Sequence, residues 1–118
     1  MILKPPEKIY ISSANVDMRK SIDGLSSIVQ QKFQLNMFSD AMFVFHNRHC
    51  DKIKILYWDG DGFCLLYKRM EKEKFRFPRH ITDEVYSITK EELSWLMHGL
   101  RIEEIKKYEV LNSKVSTV

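Results

Sequence analysis

Glycine is scarce in this chain, with four in 118 residues. Phosphate-binding loops, the dinucleotide fingerprint and the G-x-S-x-G nucleophile elbow all need glycines at fixed short spacings, and none of those patterns occurs. Cysteine is scarcer still. Cys50 and Cys64 are too few for a disulfide scaffold and stand outside any Cys-x-x-Cys pair, so reduced thiols in a cytoplasmic protein are expected. Long apolar runs are missing as well. The longest, Ala41 to Phe45 and Phe63 to Tyr67, are far too short to cross a bilayer. The opening Met1-Ile-Leu-Lys-Pro-Pro-Glu-Lys8 lacks the apolar stretch of a signal peptide. No membrane partner is expected.

What is present fits one folded unit. Hydrophobic residues make up 44% of the chain and charged residues 30%, which excludes disorder as the main state. The length suits a single domain over residues 1–118, with an ordered core at about residues 8–105 and a frayed C-terminal tail. The net charge of +3 permits a nucleic-acid partner without demanding one.

Along the chain, Pro5-Pro6 favours an extended lead-in and Lys8 to Ser12 reads as a strand. Apolar residues at Met18, Ile22, Leu25, Val29 and Phe33 then mark one face of a helix, with Asp17 as its N-cap. Gly24 inside that helix suggests a close backbone contact. From Met42 the period becomes two. Strands are expected over Met42 to His46, Lys52 to Trp58 and Phe63 to Arg69, with a further short one over Phe75 to Phe77. Asp59-Gly60-Asp61-Gly62 is a hairpin turn, and Asn47 to Asp51 a longer hairpin loop. Thr89-Lys-Glu-Glu92 has the form of a capping box, opening a helix whose apolar face carries Leu93, Leu96, Met97 and Leu100. The fold class expected is α+β, an antiparallel meander packed on one face by two helices.

Hairpin register decides which side chains share a face. The Asp59–Gly62 turn sets Trp58 opposite Phe63, Leu56 opposite Leu65, Lys54 opposite Tyr67 and Lys52 opposite Arg69. A five-residue loop at Asn47–Asp51 would set His46 opposite Lys52 and Val44 opposite Lys54. One face then holds Phe43, Phe45, Ile53, Ile55, Tyr57, Cys64 and Leu66. The other is basic at one end, through Lys52, Lys54 and Arg69, and aromatic at the other. Either this second face tracks a phosphate backbone while Trp58 or Tyr67 stacks on bases, or its lysine stems merely cover apolar neighbours. Between His46 and His80 stand nine Lys or Arg and five Asp or Glu, so the basic excess is focused on this segment.

Other constellations carry less. His46, His49, Cys50 and Cys64 lie near one turn without the paired spacings of a zinc site, so no metal is expected. Asp59-x-Asp61 opens like a calcium loop but lacks its closing glutamate. Asp17, Asp23, Asp51, Asp59, Asp61 and Glu71 show no spacing that assembles a nuclease pair. The reading is a chain with no catalytic residues, no cofactor and no small-molecule substrate.

Five stretches follow one another in an order that is familiar. They are Asp17-Met-Arg-Lys-Ser-Ile-Asp-Gly-Leu25, Phe43-Val-Phe-His-Asn-Arg48, Asp51-Lys-Ile-Lys-Ile-Leu-Tyr-Trp-Asp-Gly-Asp-Gly-Phe63, Lys68-Arg-Met-Glu71 and Phe75-Arg-Phe-Pro78. Together they resemble the accessory protein, often called TnpB or Orf-two, of insertion sequences of the IS-sixty-six type, over about residues 1–100. Ser21 departs from that pattern, where glycine is usual, as do Tyr57 and Phe77, where tryptophan is common. The resemblance implies a non-enzymatic helper for transposition, encoded beside a separate transposase. It maps recurrent basic and aromatic positions onto Arg19, Lys20, Arg48, Lys52, Lys54, Trp58, Lys68 and Arg69. With Tyr67 from the register argument, the candidate nucleic-acid-binding set is Arg48, Lys52, Lys54, Trp58, Tyr67, Lys68 and Arg69, and the expected partners are transposon DNA and the transposase. The rival expectation is an adaptor whose patch around Trp58, Phe63 and Leu65 docks on the transposase or on a second copy. A degenerate nuclease is a third.

Overall fold

The structure, a computed structural model, describes residues 6–100. Its centre is a five-stranded sheet of β1 (Lys8–Ser12), β2 (Ala41–His46), β3 (Lys52–Trp58), β4 (Phe63–Arg69) and β5 (Val85–Ile88), in the order β4-β3-β2-β1-β5. β1 runs parallel to β2, and every other neighbouring pair is antiparallel. Two helices complete the fold, α1 (Ile22–Ser27), which continues as a π-helical turn over Ile28–Lys32, and α2 (Lys90–Met97). The α+β class and the β2-β3-β4 meander therefore stand as expected.

The helices do not share a face. α2 closes one side of the sheet, where Leu96 is fully buried among Ile9, Ile11, Met42, Val44, Ile53 and Ile55. α1 closes the other, with Leu25 and Val29 fully buried against Phe43, Phe45 and Leu56. Every residue of β2 is buried, which a sheet covered on one face only would not produce. The expected packing of both helices on one face is corrected accordingly. The parallel β1–β2 pair carries the physical reason. A parallel connection needs a crossover, and the chain between β1 and β2 supplies it through α1 on one side, while α2 enters from β5 on the other.

The β2–β3 register also differs by one residue. His46 stands opposite Ile53 and Val44 opposite Ile55, so Phe43 and Phe45 turn to the α1 side rather than joining Ile53 and Ile55. The loop is tighter than its length suggests. Asn47 donates its amide to the Lys52 carbonyl at 3.2 Å, and its side-chain Oδ1 accepts from the amides of Asp51 and Lys52 at 3.1 and 3.0 Å. Asn47 is therefore paired, and Cys50 takes up the reversal in the left-handed region at φ 57°. The Asp59–Gly62 turn is as expected, with the Asp59 amide bonded to the Gly62 carbonyl at 2.8 Å and Gly60 at φ 87°.

Three local expectations need correction. α1 begins at Ile22, with Ser21 rather than Asp17 at its N-cap. Asp17 instead accepts the Arg19 amide at 2.8 Å, a local turn that competes with helix. The close neighbour of Gly24 is Lys20, from the preceding turn of its own segment, and no other element. Phe75 to Phe77 forms no strand. The Phe75 amide bonds to the Cys50 carbonyl at 2.8 Å, and its ring is buried in the α2-side core. The fifth strand is β5, paired with β1.

α2 starts as its sequence dictates, with both arms of the Thr89–Glu92 capping box formed. It ends in a Schellman motif at Gly99, φ 79°, where the Gly99 amide reaches Leu96 and the Leu100 amide reaches Trp95. Any continuation of the helix through Ile102 and Ile105, like the tail, lies outside the described residues.

Candidate nucleic-acid interface

β3 and β4 present on the α1 side the four pairs that hairpin register dictates. They are Lys52 with Arg69, Lys54 with Tyr67, Leu56 with Leu65, and Trp58 with Phe63. α1 and its π-helical turn bury the middle of this surface over Phe43, Phe45 and Leu56, while Tyr67 stays about half exposed. The basic and aromatic ends are six residues apart along β3, about 20 Å at 3.3 Å per residue.

At the basic end the β2–β3 loop stands between two grooves. One, of about 560 Å³, is lined by Asp17, Met18, Arg19, Arg48, His49, Lys52 and Tyr67. The other, of about 650 Å³, runs between the same loop and the extended segment after β4, lined by Arg48, His49, Lys72, Lys74, Phe75 and Arg76. Six cations and two carboxylates, Asp17 and Glu73, line the pair. That local excess of four exceeds the +3 of the whole chain. Lys72, Lys74 and Arg76 were absent from the sequence-derived set. Their spacing of two along an extended segment and the charge focused between His46 and His80 are sequence signals that could have marked them as basic, but neither places that segment beside the β2–β3 loop.

These cations differ in how firmly they are held. The Arg19 guanidinium grips Asp17 at 2.6 Å, and its hydrogen bonds hold the Asp17 carboxyl down at about 2. Lys52 lies 3.6 Å from Asp51, whose carboxyl is lowered mainly by the Asn47 side-chain amide. Arg69 pairs with Glu71 at 2.9 Å. Lys54 donates to the Lys20 carbonyl at 2.8 Å and sits 5.8 Å above the Tyr67 ring. Arg48, Lys72, Lys74 and Arg76 ion-pair with no carboxylate among the described residues.

The sequence-derived set is thus brought together in part. Arg48, Lys52 and Tyr67 share one groove, with Lys54 and Arg69 beside them. Lys68 stands apart. It pairs with Ile53, so its side chain lies on the α2 side, and its amine donates to the Met97 carbonyl at 2.7 Å, capping the end of α2. Trp58 is at the far end, locked edge-on against Phe38 and Phe63 with ring centroids 5.0 Å away in each case. Phe38, half exposed, is the outward ring of that cluster, and sequence reasoning missed it because it falls in a connection.

His46, His49, Cys50 and Cys64 do not converge. His46 is buried with its Nε2 3.0 Å from the Ser12 carbonyl oxygen and its ring tilted against Phe77 at a centroid distance of 4.2 Å, and Cys64 sits beside Tyr57. Among the described residues no group of three or more His, Cys, Asp or Glu is arranged to hold a metal ion. Nor is any helix among them long and apolar enough to cross a membrane.

Comparison with known proteins agrees with the family resemblance. The chain is 32% identical over 103 residues to the uncharacterized protein y4jC of Sinorhizobium fredii (strain NBRC 101917 / NGR234), covering 87% of each chain. It is 30% identical over 93 residues to the uncharacterized protein y4hO of the same strain, covering 79% of this chain and 80% of the relative. No solved structure matches. The family described as IS66 Orf2 like protein matches residues 7–107, and the chain belongs to that family, which ties it to an accessory role in the transposition of an insertion sequence.

Proposed function

We propose that this protein is a non-enzymatic accessory factor that attaches to nucleic acid, the element's own DNA in the cytoplasm, through the basic end of its sheet. One observation carries the reading. Six cations from three separate stretches of chain converge on the two grooves beside the β2–β3 loop, against two carboxylates. Cations held on opposite flanks of a projecting loop can meet successive phosphates of one backbone, and each phosphate neutralised releases counterions. Tyr67, exposed between Lys54 and the groove, supplies a ring on which an unpaired base can stack.

The rival reading is an adaptor that docks on the transposase through the aromatic end. The exposure of Phe38 over Trp58 and Phe63 favours it. A binding titration against duplex DNA, single-stranded DNA and RNA at two salt concentrations separates the two. Contact with phosphates makes log K fall with log salt at about 0.9 per duplex phosphate engaged, whereas apolar docking barely responds. Affinity for all three nucleic acids that is negligible at low salt would leave the adaptor reading in place.

A further inference from the structure

The outer edge of β4 carries an inference independent of the nucleic-acid reading. β4 is the last strand of the sheet on one side. The Asp59 amide bonds to the Gly62 carbonyl at one end of the hairpin and the Met70 amide to the Asp51 carbonyl at the other. Hydrogen-bonded and non-bonded pairs alternate along an antiparallel ladder. Cys64, Leu66 and Lys68 therefore turn their backbone groups toward β3, and Phe63, Leu65, Tyr67 and Arg69 turn theirs outward. None of these four outward amides has a backbone partner among the described residues.

Natural edges are usually blunted by shortness, proline, bulges or scattered charge. The opposite edge, β5, has four residues. β4 has seven, pairs with β3 in unbroken register, and contains neither proline nor glycine. Its middle is apolar and open, with Leu66 41% and Tyr67 51% exposed.

We propose that the β4 edge pairs antiparallel with the β4 edge of a second copy, about a two-fold axis at Leu66. This is the one antiparallel register in which all seven residues find partners. It sets outward groups against outward groups, Leu65 with Tyr67 and Phe63 with Arg69 of the second copy, and it leaves Leu66 against Leu66 at the axis. Charge selects the direction. The turn before β4 carries Asp59 and Asp61, while at its other end Lys68, Arg69, Lys72 and Lys74 outnumber Glu71 and Glu73. Antiparallel pairing brings the acidic end of each copy to the basic end of the other, whereas parallel pairing would superpose like charges. Partners across an antiparallel pair share a face, so the Lys52–Tyr67 surfaces of both copies lie on the same side of one continuous sheet.

The full chain should sediment as a dimer that dissociates on dilution. Leu66→Lys, which places two ammonium groups at the axis, should sediment as a monomer with unchanged circular dichroism. Tyr67→Pro should do the same, because it deletes an outward amide that the monomer fold does not use. Mild oxidation of Leu66→Cys should give a disulfide-linked dimer well above the background from Cys50 and Cys64, since facing residues at the axis lie within disulfide reach. Tyr67→Cys, offset from its counterpart, should not. A monomer at every concentration overturns the proposal and leaves the edge to residues 101–118 or to another protein. A dimer that survives both Leu66→Lys and Tyr67→Pro overturns it equally.

Discussion

Lys54 reaches across the α1 side of the sheet and donates its amine to the backbone carbonyl of Lys20, 2.8 Å away. The bond ties the central hairpin to the turn that leads into α1. It also gives this lysine a structural task that its position on a basic face does not advertise. Lys54→Met should lower stability by about 0.5–1 kcal/mol in urea unfolding, the discount for partial exposure included. It should weaken nucleic-acid binding less than Arg48→Met does.

Closure of both sheet faces makes a second expectation. Ile55 packs on the α2 side and Phe45 on the α1 side, and each is almost wholly buried. Ile55→Ala should cost about 2–5 kcal/mol and Phe45→Ala about 3–5 kcal/mol, through lost transfer energy plus a cavity. Equilibrium unfolding should show both losses at full size. A sheet open on the α1 side would spare Phe45→Ala.

Lys68 separates structure from binding. Its amine caps α2 at Met97, on the face away from the grooves. Lys68→Met should cost about 1 kcal/mol, as should Thr89→Ala at the other end of the same helix. Neither should change affinity for DNA beyond experimental error. A tenfold loss of affinity for a folded Lys68→Met would put Lys68 back in the interface.

Stability should depend on pH at both extremes. Hydrogen bonds from Arg19 lower the Asp17 carboxyl from 3.8 to about 2, so its ionised form is favoured by the fold. That contribution is present above 3.8 and is lost as pH falls through 2. Burial first, and Cys64 second, push the Tyr57 hydroxyl from 10.0 up to about 12, and burial pushes Tyr86 in the same direction. For both groups the fold favours the neutral form, so their contribution is present below 10 and is lost as pH rises above it, for Tyr57 through about 12. Urea midpoints taken across the alkaline range should fall for the parent, and less steeply for Tyr57→Phe.

The hairpins show what the sequence made legible. Two glycines in Asp59–Gly62 fix the β3–β4 register outright, so the Lys52–Arg69 and Lys54–Tyr67 pairs could be read directly. The β2–β3 loop could not be read the same way. Asn47 looks like loop but pairs with Lys52, because its side chain accepts two amides at once, and that one residue turns all of β2 over. The sidedness of the helices was hidden for a related reason. β2 is apolar at every position except His46, so alternation could not say which of its faces was covered. Within the site, periodicity placed Lys52 and Tyr67, while Lys72, Lys74 and Arg76 join them only because the Phe75 amide is bonded to Cys50, a long-range tie with no local signature.

The most direct test of the account is DNA affinity of an Arg48→Glu, Lys52→Glu double variant, read at two salt concentrations beside a urea unfolding curve. Both side chains lie at the groove rim and neither enters the core, so stability should change by no more than about 1 kcal/mol. Affinity for duplex DNA should fall tenfold or more, with the salt dependence shallower by about two phosphates' worth of released counterions. A double variant that folds like the parent and binds DNA with the parent's affinity and salt slope would contradict the assignment of this surface to nucleic acid.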